Sequence, residues 1–274
     1  MSDGPRDPAT IEPESRTRLP EQPLGVDAVR ILGVPIAREP LDRLLLYADQ
    51  CIRVRRRTLF TTTNAHSLVT AQEDLLFLDH FLTADAVLPD GVLPVWLSRV
   101  FPGPGISERI SGGVFFERFA TLASERGYSV FFLGASDRTL GLIRQRMASA
   151  YPRLRIAGTL SPPFRELTPE EDEAIADQVN STRPDALFVG MTAPRQELFL
   201  SRNFRRLDVP FQMGIGAVFD YLSGEKTRPP DWLGRMGFEW LFRLTREPRR
   251  LARRNLNSLV FVWMAIRSEL ESGG

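Results

Sequence analysis

Two segments place an acid, amide or hydroxyl side chain directly after an apolar run, where an open parallel sheet binds its ligands. In TTTN, Thr62 and Asn64 offer a hydroxyl and an amide to a polar ligand, and capping of the next helix explains them about equally well. In LPDG, Asp90 offers a carboxylate, although Pro-Asp-Gly is commonly only a turn. Both segments therefore have a chemical and a purely local interpretation.

Two further segments suit a phosphate or a sugar. VFFLGAS brings Gly134 to a predicted junction of strand and helix, where backbone N–H groups bind phosphate, but the motif is not a complete GxGxxG. VGMTAPRQE opens a helix with Arg195 and Gln196, whose guanidinium and amide suit a pyrophosphate or a sugar. A solvated helix start is the competing interpretation of this segment.

Other chemistries fit the sequence less well. The two histidines, His66 and His80, and the single Cys51 form no zinc-ligand pattern. The sequence has neither a GxSxG elbow nor a GxxxxGK[ST] loop, and it has no Asp-x-Asp turn to hold a divalent cation against a nucleotide diphosphate. We therefore expect no metal and no cofactor.

The elements that must position these residues alternate between strands and helices, which predicts an α/β fold with a mostly parallel sheet and helices on both faces. One predicted helix has a clear start, because Thr168 can cap it and Glu171 follows three residues later, so the acidic run EEDE needs no metal to explain it. The predicted strands span residues 29–36, 58–64, 84–91, 128–134, 155–160, 185–190 and 210–216, and the predicted helices span 41–57, 65–82, 92–100, 113–126, 137–151 and 169–181.

The composition is that of an ordinary soluble protein, with 43% hydrophobic residues, 25% charged residues and a net charge of +1. Residues 1–25 are rich in proline and have no apolar signal-peptide region, so we expect a disordered tail. The longest apolar run, LVFVWMAI (259–266), is shorter than the ~20 residues that span a bilayer. We therefore expect a cytoplasmic α/β core over residues 26–228 and a helical appendage over residues 229–274.

The segment SGEKTRPPDWLGRMGFEWLFRLTREPRR, from residue 223 to 250, mixes arginine with aromatic residues. Its tryptophans lie at helical spacing, which favours a packed helix face over the exposed stacking platforms of a nucleic-acid site. Glu239 lies four residues from both Arg235 and Arg243, so that one carboxylate can pair with two arginines. The basic residues that precede the apolar run suit an anionic membrane surface; they are Arg249, Arg250, Arg253 and Arg254.

From about residue 29 to residue 254 the chain resembles the WecG/TagA/CpsF family of bacterial glycosyltransferases. The resemblance is carried by TTTNAHSLVTAQED, VLPDGVLPVWLSR, ERISGG, PDALFVGMTAPRQE and above all GIGAVFDYLSGEKTRPPDWLGRMGFEWLFRLTREPRRLARR. It implies a Rossmann-like core and a C-terminal helical appendage that docks on the membrane. It also implies metal-independent, inverting transfer of a sugar from a UDP-sugar to a polyprenyl-diphosphate-linked acceptor. This reaction would serve cell-surface or exopolysaccharide assembly at the inner face of the cytoplasmic membrane.

Carried over by position, the resemblance makes Asp90 the catalytic base that takes the proton of the acceptor hydroxyl. Since no metal is expected, arginines or a helix dipole must stabilise the leaving diphosphate. Self-association into a homo-oligomer is compatible with this function, and we expect no nucleic-acid partner. The residues that the resemblance places around the substrates are Thr62, Asn64, Arg109, Gly134, Gln196, Asp220, Arg228, Arg235 and Arg243.

Three positions depart from the family pattern. Met191-Thr192-Ala193 stands where the family has a glycine before its Pro-x-Gln-Glu motif, Val114 replaces an aspartate, and Pro89 replaces an alanine. These changes concern the choice of donor sugar rather than the type of reaction. The alternatives to an enzyme are a nucleic-acid-binding module and a catalytically inactive scaffold that only docks on membranes.

Overall fold

The structure is a computed structural model that describes residues 25–101, 103–227, 257–258 and 260–268. Residues 257–258 and 260–268 are helical and form the C-terminal helix. The preceding elements follow one another as β1 (Ala28–Ile31), β2 (Val34–Ala37), α1 (Leu41–Arg53), β3 (Thr58–Thr63), α2 (Ala65–Glu73), α3 (Leu75–Thr83), β4 (Ala86–Pro89), α4 (Val92–Val100), α5 (Gly112–Arg126), β5 (Ser129–Gly134), α6 (Asp137–Ala150), β6 (Arg155–Leu160), α7 (Pro169–Ser181), β7 (Ala186–Gly190), α8 (Arg195–Asn203), β8 (Phe211–Gly214) and α9 (Val218–Ser223).

Strands β3 to β8 form one sheet in the order β4-β3-β8-β7-β5-β6, and all neighbouring strands in it are parallel. Side chains alternate between its two faces. Phe132 and Phe188 pack in a core with α1, α5 and α6, whereas their neighbours Phe131 and Leu187 pack in another core with α7 and α8. The predicted α/β, Rossmann-like architecture, with helices on both faces of a parallel sheet, is confirmed.

Aromatic rings join α5 to the middle of the sheet. Phe115 and Phe119 of α5 stack on Phe211 of β8, with ring centroids 5.8 and 4.9 Å apart. Phe116 meets the Phe188 ring of β7 edge-on at 4.9 Å. Such pairs add to the free energy gained from burial, and they fix the helix whose first turn lies at the candidate site.

The single strand predicted over residues 29–36 is wrong, because the chain forms a hairpin there. β1 and β2 pair antiparallel, with Ile31 opposite Val34. Leu32 and Gly33 make the turn at φ 49° and 78°, a left-handed pair that matches the twist of two-residue hairpins. The glycine was the available signal, and the unbroken apolar run around it concealed the turn.

The continuous helix predicted over residues 65–82 is also wrong. Asp74 has an extended backbone conformation between α2 and α3, and its carboxylate accepts hydrogen bonds from the N–H groups of Leu76 and Phe77. The bonds that the Asp74 carboxylate makes to the backbone start a new helix, and this arrangement is favoured here over continuation of α2. The helix start at Thr168 is confirmed, because Thr168 and Glu171 form the reciprocal bonds of a capping box.

The C-terminal helix packs on the half of the protein that contains β4. Phe261 and Ala265 are buried in one core cluster with Val95 and Leu97 of α4 and with the hairpin. Part of the apolar run predicted over residues 259–266 therefore belongs to the core. No helix in the described part of the chain is both long and apolar enough to cross a membrane. The predicted boundary between core and appendage stays a prediction, since residues 228–256 lie outside the described ranges.

Candidate active site

The carboxyl ends of β3 and β4 bring the TTTN and LPDG segments together. These strands are neighbours in register, with Thr62 beside Leu88 and Thr63 beside Pro89. The backbone N–H of Asp90 donates to the Thr63 carbonyl oxygen at 2.7 Å. A Cβ atom at Gly91 would lie 3.3 Å from Cβ of Asn64. The hydroxyl, amide and carboxylate identified in the sequence thus lie at one edge of the sheet.

Asp90 forms an ion pair with Arg109 at this edge. The Arg109 Nη2 atom lies 3.4 Å from Oδ1 of Asp90, and both side chains are partly exposed. Two groups at Asp90 are therefore fixed, the backbone by Thr63 and the carboxylate by a guanidinium. A carboxylate held in this way and open to solvent can take a proton from a hydroxyl group that approaches it.

Arg109 is positioned by the loop between α4 and α5. The N–H of Ile110 donates to the Pro89 carbonyl oxygen at 3.0 Å, which ties the loop to the end of β4. The Glu108 carboxylate accepts a hydrogen bond from the N–H of Leu41 at 2.7 Å. A Cβ atom at Gly112, the first residue of α5, would lie 3.5 Å from the Thr62 methyl group. The ERISGG motif therefore lies against both strands of the site.

Asn64 caps α2, as the local interpretation proposed. Its Oδ1 accepts hydrogen bonds from the N–H groups of His66 and Ser67 at 3.0 and 3.2 Å. His66 in turn contacts the C-terminal helix, because the Asn257 amide lies 2.7 Å from its Nδ1. An amide nitrogen is a donor, so this contact requires the imidazole Nδ1 to be the acceptor. A substrate contact of Asn64 stays a prediction.

Gln196 lies behind the turn that follows β8, deep in the protein. Its side chain is buried against Gly214 and Gly216, and its Nε2 donates to Oε1 of Glu197 at 2.8 Å. Burial raises the pKa of the Glu197 carboxyl and favours its neutral form. No signal in the sequence indicates a buried role for Glu197, since an acid in a first helical turn is ordinarily solvated. Arg195 bonds to the loop after β6, where its guanidinium donates to the Pro163 carbonyl oxygen at 3.0 Å.

Gly134 contacts protein backbone at the end of β5. A Cβ atom there would lie 2.5 Å from the Gly190 carbonyl oxygen, so glycine permits this close approach of β5 and β7. The Glu225 carboxylate binds to the first turn of α6. Its Oε2 accepts a hydrogen bond from the Thr139 hydroxyl at 2.8 Å, and it forms an ion pair with Arg138 at 3.7 Å. An anion suits a helix N-terminus. Binding of phosphate at Gly134 stays a prediction.

The other predicted substrate residues are Asp220 and three arginines outside the described ranges. Asp220 of α9 pairs with Lys226, with the Nζ and Oδ2 atoms 2.9 Å apart. The described residues contain no group of three His, Cys, Asp or Glu side chains that could hold a metal ion, and metal-independent transfer stays a prediction. Seven arginines that were predicted to bind substrate or membrane lie outside the described ranges; they are Arg228, Arg235, Arg243, Arg249, Arg250, Arg253 and Arg254.

The three departures from the family pattern have different surroundings. Pro89 contributes its carbonyl oxygen to the bond that holds the Arg109 loop. Met191 is buried in the core beside α7 and α8. Val114 is exposed in the first turn of α5, whose first residue touches Thr62. Of the three, Val114 is the best placed to meet a substrate.

His80 is a buried histidine in α3, next to α8. Its Nδ1 lies 2.8 Å from the Ser201 hydroxyl. Burial lowers its pKa to about 4, and a bond with the Glu197 backbone opposes this shift only partly. The folded protein therefore holds this imidazole neutral in mildly acidic solution. These surroundings are those of a structural histidine.

This histidine makes stability depend on pH. An unfolded histidine gains its proton near pH ~6.5, whereas folded His80 resists protonation down to about 4. Its contribution is complete above pH ~6.5 and is lost as the pH falls, by ~2 kcal/mol between pH ~7.5 and ~5. Glu197, whose pKa is raised, contributes in the opposite direction, so wild type must be compared with a variant.

The measurement is urea unfolding at both pH values for wild type and His80→Gln. We expect His80→Gln to be less stable at the higher pH and to lose ~2 kcal/mol less than wild type on acidification. Equal slopes for wild type and His80→Gln would contradict a neutral buried His80.

Two comparisons with known proteins found matches to this chain. The model of the Glycosyl transferase WecG/TagA/CpsF family matches residues 29–273. The N-acetylglucosaminyldiphosphoundecaprenol N-acetyl-beta-D-mannosaminyltransferase of Bacillus subtilis (strain 168) is 29% identical over 225 residues, which are 81% of this chain and 85% of that protein. The protein of the same name from Bacillus spizizenii (strain ATCC 23059 / NRRL B-14472 / W23) is 29% identical over 190 residues, 69% of this chain and 71% of that protein.

Proposed function

The chain belongs to the WecG/TagA/CpsF family of glycosyl transferases, and we propose that it moves a sugar from a UDP-sugar to a polyprenyl-diphosphate-linked saccharide. The transfer inverts the anomeric carbon and needs no metal ion. The observation that supports this proposal is the pair of Asp90 and Arg109 at the end of β4, beside Thr62 and Asn64. A carboxylate can act as a general base in such a transfer, and a guanidinium can stabilise the leaving diphosphate.

Asp90 is the proposed general base. The oxygen of the acceptor hydroxyl forms a bond to the anomeric carbon while the bond from that carbon to the diphosphate breaks. The hydroxyl proton passes to the Asp90 carboxylate, and UDP departs with the electron pair of the broken bond. Attack on the face opposite the leaving group inverts the configuration. General-base assistance of this kind contributes ~10²–10⁴ to the rate.

Arg109 is the proposed partner of the sugar and the diphosphate. Its guanidinium is next to Asp90 and carries five N–H donors, so one face can hold the base while other donors meet a phosphate oxygen. A fixed cation at the developing negative charge stabilises the transition state more than the ground state. Arg228, Arg235 and Arg243 are proposed to add positive charge at the same diphosphate.

The acceptor is proposed from the names of the relatives. Both relatives are named for N-acetylglucosaminyldiphosphoundecaprenol and for transfer of an N-acetyl-beta-D-mannosaminyl group. A related acceptor would bring this protein to the inner face of the cytoplasmic membrane as a peripheral protein. Arg249, Arg250, Arg253 and Arg254 are proposed to attract anionic lipid there, each contributing ~1 kcal/mol near the surface. The product would enter cell-surface or exopolysaccharide assembly.

Release of UDP tests the proposed reaction. Purified protein is mixed with anionic vesicles that carry a polyprenyl-diphosphate N-acetylglucosamine, a panel of UDP-sugars and EDTA. We expect at least one donor to release UDP only when the acceptor is present. Release that requires Mg²⁺ would contradict the metal-independent mechanism, and no release from any donor, with or without Mg²⁺, would support an inactive scaffold.

A further inference from the structure

One face of α4 is apolar and exposed. Val92, Trp96 and Val100 follow one another at intervals of four residues and are 45%, 55% and 59% exposed. The opposite face is buried, with Val95 and Leu97 in the core cluster that also receives the C-terminal helix. Residues four apart lie above one another on a helix, so these three side chains form one stripe, the α4 stripe, about 12 Å long.

The α4 stripe is rigidly connected to the candidate active site. Only Gly91 separates Asp90 from Val92, the first residue of the stripe. At the other end, the Ser98 hydroxyl accepts a hydrogen bond from the N–H of Ile106 at 2.9 Å. The Arg99 guanidinium also bonds to the Ile106 carbonyl oxygen at 3.2 Å. Both ends of α4 are thus fixed to segments that hold the catalytic pair.

We propose that the α4 stripe enters the boundary between headgroups and acyl chains of the membrane that carries the acceptor. This inference rests on the proposed function, because a diphosphate-polyprenol acceptor has its reactive sugar at a bilayer surface. A site that begins two residues from the stripe would then face that surface. Trp96 has the ring type that prefers such a boundary, with an apolar body and one N–H donor.

The dimensions and composition of α4 fit a shallow insertion. The helix has 9 residues, less than half of the ~20 that would span a bilayer, so it can lie in the interface and cannot cross it. Arg99 is next to the stripe. Its guanidinium bonds to the Ile106 and Ser107 carbonyl oxygens, and the residue remains exposed, so a positive charge lies beside the stripe. A tryptophan with a neighbouring cation suits the boundary of an anionic membrane.

A fluorescent label tests the contact directly. Val100→Cys is labelled in the full-length protein with nitrobenzoxadiazole, and Cys51 stays unlabelled because it is buried. Vesicles of phosphatidylglycerol and phosphatidylcholine should shift the emission to the blue, and brominated acyl chains should quench it. The matched control is Val54→Cys, which is 54% exposed at the end of α1, before the amino end of β3, and should do neither.

Two results would overturn the proposal. One is sedimentation of the labelled protein with vesicles without a blue shift at position 100. The other is a blue shift that depends on protein concentration and not on lipid, which would assign the stripe to a second copy of the chain. Either result can be obtained whether or not the protein transfers a sugar, so failure of the proposed function remains distinguishable.

Kinetics provide a second test. The double variant Trp96→Ser, Val100→Ser should turn over a vesicle-bound polyprenyl acceptor at least about tenfold more slowly, because it loses two buried apolar contacts with lipid. A water-soluble acceptor with a short alkyl chain should be used at the wild-type rate. Val54→Ser is the control for both acceptors. Equal rates for wild type and the double variant on vesicles would contradict the role of the stripe.

Discussion

Asp90→Asn is expected to lower kcat by ~10²–10⁴ while leaving binding of the donor nearly unchanged. The asparagine amide cannot take the proton of the acceptor hydroxyl. It keeps the shape of the side chain, and its oxygen can still accept the hydrogen bond that Arg109 donates at 3.4 Å. The backbone bond to Thr63 is also kept. The substitution therefore removes the base and the negative charge of the ion pair, and keeps these two hydrogen bonds.

The measurement is acceptor-dependent release of UDP over a range of donor concentrations, with donor binding followed by protection against thermal unfolding. The matched control is Asp177→Asn, the same chemical change at an exposed position in α7, which should turn over at the wild-type rate. Near-normal turnover by Asp90→Asn would remove Asp90 from the role of base. Loss of donor protection would instead assign it to binding.

Gly190→Ala is expected to destabilise the fold by ~3 kcal/mol. Gly190 ends β7, and a Cβ atom there would overlap the Phe219 ring of α9. The ring has little room to retreat, because it is buried and meets Phe132 edge-on at 5.7 Å. Forcing an extra methyl group into a close-packed core commonly costs ~1–3 kcal/mol. We expect the upper end of this range, because the Gly190 side of the contact is the backbone of a sheet strand, which cannot move as a side chain can.

Thermal and urea unfolding measure this effect, with an expected decrease in Tm of ~6–12 °C for a protein of this size. Gly141→Ala is the control, since nothing lies near a Cβ atom at that exposed helical position and alanine should be neutral or stabilising there. Combining Gly190→Ala with Phe219→Leu should recover part of the loss. A Tm for Gly190→Ala equal to that of Gly141→Ala would contradict the tight contact.

Local signals in the sequence predicted most of the secondary structure. Residues 92–100, 155–160 and 169–181 form elements with the expected bounds. The Thr168 capping box was predictable because both of its hydrogen bonds join residues three apart. Two of the errors, at Leu32–Gly33 and at Asp74, are places where one residue ended an apolar pattern that otherwise continued. Periodicity averages over a window, so a single turn residue has little influence on it.

The candidate site was predicted in its residue types and not in its contacts. Each strand end was visible from local sequence, and parallel pairing then brought Thr62, Asn64 and Asp90 together. The ion pair with Arg109 depends on the hydrogen bond between Ile110 and Pro89. Glu225 bonds to Thr139 of α6, which lies 86 residues earlier in the sequence. No local pattern reports such contacts, because they depend on how separate elements pack.

The C-terminal helix has a consequence for the order in which the protein can fold during synthesis. Every strand of the sheet leaves the ribosome before Phe261 and Ala265, which fill the core cluster beside α4 and the hairpin. The region around β5, β6 and β7 has its own core and can close early. The half that contains Asp90 stays open until the last of these residues emerges. A nascent chain therefore completes the half that contains the proposed base Asp90 after the half around β5, β6 and β7.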